Sequence, residues 1–221
     1  IAALFTDLDE TFYLEGFETV TQKVFDICKQ HDWLVVIVTG NGFNGVLPRI
    51  IDQQFPAPDI IIGNVGTDIW TTTGITHYVQ DQQYQNKLHQ LGFNRLVIAR
   101  QAQSLIQTLL HEQPEVALVF QRPEAEVAFI HQEEADVEPY KVSFYFDAQN
   151  LGAVDAMEAL FKKAFPGLII AISNHSTYNR TNPNKYTQRY CVDILPVSKN
   201  GAIQYLMNLL HITTGVVAGD S

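Results

Sequence analysis

Ile1-Ala2-Ala3-Leu4-Phe5-Thr6-Asp7-Leu8-Asp9-Glu10-Thr11 sets an apolar run directly before two carboxylates spaced i, i+2. Six residues without a charge read as a buried strand that ends at Asp7. A chain still extended at that point turns residues i and i+2 to one side, so Asp7 and Asp9 can face one pocket. Working outward, Val20, Val24, Ile27 and Cys28 recur at helical spacing, predicting a helix over roughly 19–31. Trp33 to Val38 is a second apolar strand, closed by Thr39-Gly40-Asn41-Gly42. A helix near 44–54 and a third strand over 59–62 follow. Uniformly apolar strands alternating with amphipathic helices indicate an α/β fold whose parallel sheet is covered by helices on both faces.

The texture then changes. The segments 67–70 and 75–78 read as a hairpin. From about 80 to 188 two helices (82–91 and 100–112) are interleaved with strand-like segments at 95–99, 116–121, 127–131 and 141–147. A helix over 152–164 and a strand over 168–172 complete a second, mixed α/β domain. The polar segment 174–189 reads as a loop or hairpin. Beyond it a short strand at 192–195, a helix carrying Ala202, Ile203, Leu206, Leu209 and Leu210, and a strand over 215–218 restore the parallel-sheet pattern. The expected division is a core over 1–79 and 189–221 interrupted by an inserted domain over 80–188.

Composition excludes some partners. The 221 residues carry 14 Lys and Arg against 24 Asp and Glu, a net charge of −10, so no basic stripe is present to neutralise nucleic-acid backbone. No apolar run reaches the length of a membrane span and no leader-like segment opens the sequence, so the expectation is a cytoplasmic protein without membrane association. Cys28 and Cys191 have no metal-ligand spacing and read as buried small apolar residues. The 7 histidines show no His-Glu-x-x-His pattern, which argues against zinc.

Four signals fall where ligands bind in a parallel α/β sheet, at the carboxyl ends of strands and the starts of helices. The pair Asp7 and Asp9 suits Mg²⁺, a hard ion that prefers oxygen ligands. Thr39 and Gly40 end the second strand, where a hydroxyl and backbone N–H groups can hold a phosphate oxygen. Lys199 opens the helix after Asp193-Ile-Leu-Pro196 and offers an ammonium near a helix N-terminus. Gly219-Asp220-Ser221 sets a third carboxylate on the same sheet edge. Alone, each has a plain structural explanation: a solvated turn, a strand-to-helix turn, a surface lysine, a strand end. Their order along the chain is what points to phosphate chemistry.

Together, Asp7-Leu-Asp-Glu-Thr11, Val38-Thr-Gly40, Lys199 and Gly219-Asp-Ser221 resemble the four ordered motifs of the haloacid-dehalogenase superfamily. Residues 58–70, Lys141-Val-Ser-Phe-Tyr145, Asp193-Ile-Leu-Pro196 and Gln204-Tyr-Leu206 are similar to the sucrose-phosphate phosphatase group within it. The resemblance implies a Rossmann-like core with an inserted α/β cap, and a Mg²⁺-dependent sugar phosphatase. It further implies Asp7 as nucleophile, Asp9 as general acid and base, and Thr39 and Lys199 as holders of the phosphoryl group. Mg²⁺ would sit on Asp7, the Asp9 backbone carbonyl and Asp220. Gly40, Asn41 and Lys141 would contact a phosphorylated sugar, sucrose-6-phosphate first among the candidates. Asn174 and His175 are weaker candidates, and Glu10 and Asp193 read as structural or solvent-facing rather than catalytic.

Two departures from the group's pattern stand out. Asn41 occupies the position after Thr-Gly where the group tends to carry Arg. Members also place a further Asp a few residues after Gly-Asp-Ser, beyond the last residue here. Either the sequence is a piece of a longer protein, clipped at its ends, or its metal site lacks a customary support. The alternatives are a phosphatase for a glucosylglycerate, mannosylglycerate or trehalose phosphate, and a non-catalytic sugar-phosphate-binding module. A glycosyltransferase (synthase) is the protein partner the resemblance implies.

Overall fold

The structure is a computed structural model that describes residues 1–9, 11–74, 76–112, 129–131, 138–147, 151–174, 177–178, 186–187 and 189–219. The expected strand at 116–121, Glu10, His175 and Asp220 lie outside the described residues. The chain forms two compact units, one of Ile1–Leu91 with Val197–Ser221, the other of Gly92–Pro196.

In the first unit β1 (Ala2–Thr6), β2 (Trp33–Val38), β3 (Ile60–Gly63), β4 (Asp68–Gly74) and β5 (His77–Gln80) are joined by β12 (Thr214–Ala218). The sheet order is β12-β1-β2-β3-β4-β5. Its first four strands run parallel, with Thr6 opposite Ala218 on one side and Ile37 on the other. β4 and β5 then add an antiparallel hairpin. Val35, Val36, Ile37, Ile61 and Ile62 are fully buried, as a strand covered on both faces requires.

α1 (Glu18–Gln30) and α2 (Phe43–Ile51) form close to where apolar periodicity predicts them. The inward face of α1 differs from the expected one, however. Thr21 and Cys28 are buried, whereas Val20, Val24 and Ile27 are exposed. Thr21 Oγ1 donates to the Phe12 carbonyl at 2.6 Å and thereby ties the helix to the loop after Asp9. Burial of Cys28 and Cys191 agrees with the sequence.

The second unit is built on a four-stranded antiparallel sheet in the order β6-β7-β11-β8. Its strands are β6 (Phe129–His131), β7 (Val142–Asp147), β8 (Ile169–Asn174) and β11 (Arg189–Leu195). A small ribbon of β9 (Thr177–Tyr178) and β10 (Tyr186–Thr187) falls inside the expected hairpin at 174–189. Val142, Phe144, Val192 and Ile194 face an apolar core with Ile98, Ala102 and Ile106 of α4 (Arg95–Glu112) and Met157 and Phe161 of α5 (Leu151–Ala164).

Three expectations need correction. Residues 95–99 are the first turns of α4, not a strand. Asn94 Oδ1 accepts the Val97 N–H at 3.1 Å, and Ile98, Ala102 and Ile106 repeat at i, i+4, so helical burial overrides the β-branched local composition. Residues 192–195 belong to β11, which pairs with β7 and β8 in the second unit rather than with the parallel sheet. The boundaries therefore fall at 91/92 and 196/197, not at 79/80 and 188/189. α3 (Gln82–Gln90) stays with the first unit because Tyr84 donates its hydroxyl to the Gly66 carbonyl at 2.7 Å. Asp81, which caps α3, also receives the Tyr205 hydroxyl at 3.1 Å from α6 (Lys199–Leu209).

Burial sets an alkaline limit to stability. It is the first cause, ahead of Asp59 near Tyr78 and Asp68 near Tyr84, that pushes both phenols far above their ordinary 10.0. Tyr205 rises to about 12, and the Cys191 thiol goes well above 9.0 through burial and then Asp193. Unfolding would let these groups ionise at their ordinary values, so above about pH 9 the unfolded chain binds fewer protons than the folded one and stability falls as pH rises. Urea midpoints should be flat from neutrality to about pH 9 and decline beyond it. A midpoint that climbs through that window would contradict the burial of these hydroxyls.

Candidate active site

Asp7 lies one residue past β1, and its N–H still donates to the Ala218 carbonyl at 3.0 Å. The chain then folds back, with Phe12 N–H on the Asp7 carbonyl at 3.1 Å and Tyr13 N–H on the Leu8 carbonyl at 2.8 Å. Leu8 and Phe12 are buried in the core, which anchors the turn between the two carboxylates from below.

Lys199, the first residue of α6, sends its Nζ to Asp7 Oδ1 at 2.8 Å. Ser198 caps that helix by accepting the Gly201 N–H at 3.2 Å. Thus residues 192 positions apart meet at the carboxyl end of the parallel strands. A recess opens there, lined among others by Asp7, Lys199, Asn200 and Gly219.

Thr39 is buried at the end of β2. Its Oγ1 accepts the Asn41 N–H at 3.1 Å, which leaves its O–H as a donor. Gly40 follows it in the turn. The Asn41 side chain donates to Asp9 Oδ2 at 2.8 Å, and Arg49 Nη1 donates to Asp9 Oδ1 at 2.8 Å. Asn41 is therefore engaged with a carboxylate in this structure.

A left-handed turn supports these groups. Asn64, Val65 and Gly66 have φ of 49°, 61° and 104°. Asn64 N–H donates to the Asn41 carbonyl at 3.0 Å and Val65 N–H to the Thr39 carbonyl at 3.1 Å. Asn64 Nδ2 reaches Asp68 Oδ2 at 3.0 Å. A β-branched residue at positive φ costs about 1–3 kcal/mol and persists only when its surroundings over-determine it. On the far side Gly66 lies against the backbone of Ser198 and Lys199. One turn thus touches both the β2–α2 loop and the start of α6.

In the second unit Lys141, Ser143, Cys191 and Asp193 are buried. Ser143 Oγ donates to Asp193 Oδ1, and Cys191 Sγ lies 3.6 Å from the same oxygen. Lys141 lowers the thiol's pKa, though by less than burial and Asp193 raise it. Sequence reasoning missed Arg49, which reads as an ordinary basic residue in the last turn of a helix, and the supporting role of Asn64 and Gly66. The only available hint for the latter was their place in the motif-like stretch 58–70.

Among the described residues no group of three or more His, Cys, Asp or Glu could hold a metal ion, and Asp220 lies outside them. What is described suits a hard cation. Asp7 offers carboxylate oxygen, and the recess lining contains no His or Cys.

No curated protein matches the chain by sequence. Among solved structures it is similar to a sucrose-phosphatase from Synechocystis in complex with sucrose and phosphate, with a TM-score of 0.67 and 18% identity, covering 99% of this chain and 76% of that one. It is also similar to a haloacid dehalogenase-like hydrolase from Bacillus subtilis, with a TM-score of 0.57 and 16% identity, covering 97% and 73% of the two chains. At these identities the likeness speaks for the fold. The family profile for sucrose-6F-phosphate phosphohydrolase matches residues 2–119 and 115–221, nearly the whole sequence. The chain therefore belongs to the sucrose-6F-phosphate phosphohydrolase family, within the haloacid-dehalogenase fold, and is a phosphoric monoester hydrolase.

Proposed function

We propose that the chain hydrolyses a sugar phosphate, sucrose-6-phosphate in the first place, through an aspartyl-phosphate formed on Asp7. The observation that carries this reading is the Asp7–Lys199 contact at 2.8 Å on the carboxyl edge of the sheet, with the Thr39 hydroxyl at the end of the adjacent strand. Asp7 attacks phosphorus as the bond to the sugar oxygen breaks, and Asp9 gives that oxygen its proton. Water then attacks phosphorus, its proton passes to Asp9, and phosphate leaves Asp7 free. Lys199 and Thr39 hold the phosphoryl oxygens, since phosphoryl transfer is largely positioning and charge neutralisation. Mg²⁺ would be held by Asp7, the Asp9 backbone carbonyl and Asp220, and would supply positive charge against the phosphoryl oxygens.

Lys141 is the proposed sugar contact, as a buried cation directly before β7 in a family-like stretch. The sucrose and phosphate bound by the Synechocystis relative support a disaccharide phosphate as substrate. A synthase that makes such a phosphate is the implied partner, and a cytoplasmic location follows from that role. No helix among the described residues is long and apolar enough to cross a membrane.

Phosphate release should be measured with Mg²⁺ on sucrose-6-phosphate, on trehalose, glucosylglycerate and mannosylglycerate phosphates, and on p-nitrophenyl phosphate. Sucrose-6-phosphate should give kcat/KM at least about 100-fold above the aryl ester, the scale expected when a site hydrogen-bonds its substrate's hydroxyls. Equal turnover of the two would overturn the sugar assignment, and preference for another sugar would reassign it.

A further inference from the structure

We infer that Arg49 is the positioning residue for Asp9. Asp9 stands on a loop with its side chain half exposed, a setting that ordinarily leaves a carboxylate free to change rotamer. Here both of its oxygens are held, Oδ2 by Asn41 and Oδ1 by Arg49. Arg49 is itself fixed from several sides. Its Nε donates to Gln54 Oε1 at 3.1 Å, and its guanidinium carbon lies 4.9 Å from the Tyr13 ring centroid and 5.4 Å from that of Phe55.

Those rings are 5.9 Å apart and Phe55 is buried, so the cation is wedged against the core rather than extended into solvent. Tyr13 also forms a backbone bridge with Asp9. The result is a rigid brace: core aromatics set Arg49, and Arg49 with Asn41 sets the direction of Asp9. A planar fork with several donors can hold a partner and be held at the same time, which a lysine ammonium does less well.

The inference rests on the proposed acid–base role of Asp9, and the first chemical step isolates it. An alkyl leaving group needs a proton as its bond to phosphorus breaks, whereas p-nitrophenolate leaves without one. The intact chain and Arg49→Met should be compared in single-turnover release of sucrose from sucrose-6-phosphate and of p-nitrophenol from p-nitrophenyl phosphate. For Arg49→Met sugar release should slow by about 30-fold, part of what a general acid contributes, with KM within about threefold and p-nitrophenol release nearly unchanged. Arg49→Lys, which keeps the charge, should show the same selectivity at about fivefold and serves as the readout if Arg49→Met does not fold.

Equal losses on both substrates, or a raised KM with kcat intact, would overturn the inference, since either means that Arg49 acts on the fold or directly on substrate. Asp9→Asn separates the two levels. If it leaves sugar release unchanged, the role of Asp9 falls. If it slows sugar release while both Arg49 variants behave as wild type, only the brace falls.

Discussion

Asp7→Asn should lower phosphate release from a sugar phosphate by at least about 10⁴-fold, as removal of a covalent nucleophile does elsewhere. The amide keeps the shape of the carboxylate and retains an oxygen that can accept Lys199 Nζ. Stability should therefore change by no more than about 1 kcal/mol, the scale of a partly exposed ion pair. Two measurements check this, a phosphate-release assay and the trapping of a hydroxylamine-sensitive phosphoenzyme, which the wild type should form and the variant should not. A variant that retained a tenth of the wild-type rate would remove Asp7 from the chemistry.

Gly66→Ala should damage both the fold and the site. The residue has φ of 104°, where any side chain is strained, and an added Cβ would stand 2.6 Å from the Ser198 carbonyl oxygen and 2.9 Å from Lys199 N. Both neighbours are backbone and cannot swing aside. A left-handed conformation costs a residue with a Cβ about 1–2 kcal/mol, and forced overpacking adds about 1–3 kcal/mol. A loss of about 2–5 kcal/mol in urea denaturation is expected from these two terms. The molecules that still fold should turn over about 10²-fold more slowly, because relief of the clash pushes the start of α6, and with it Lys199, away from Asp7. Gly92→Ala is the matched control: it also has positive φ, at 70°, but nothing lies within 4 Å of its added Cβ. If the two substitutions cost the same stability, the clash with α6 is not the cause.

What could be read from the sequence follows the range of the forces involved. β1, β2 and β3 were legible because burial on both faces leaves uninterrupted apolar runs, and Asp7, Thr39 and Lys199 because each sits at the end or start of such an element. The α/β class and the family follow from those signals. The misread segments depended on distant partners. Residues 95–99 have the composition of a strand, yet their burial is helical against Phe144 and Val192. Residues 192–195 read as a short strand of the parallel sheet, and only the register of β11 with Ser143 and Ala171 reveals the other sheet. Arg49 was invisible for the same reason: it meets Asp9 across 40 residues of chain, and no local pattern announces a guanidinium wedged between rings.

The pairing of β1 with β12 has a consequence for how the enzyme comes into being. Residue 2 finds its neighbour only at residue 214, so during synthesis the nucleophile's strand has one side open until nearly all of the described chain has left the ribosome. Until then an apolar ribbon with unpaired amides is available to other chains, a hazard of late-closing sheets. The strand that carries the nucleophile therefore gains its second neighbour in the last closing step, and from then on β12 is the outer strand on that side of the sheet among the described residues.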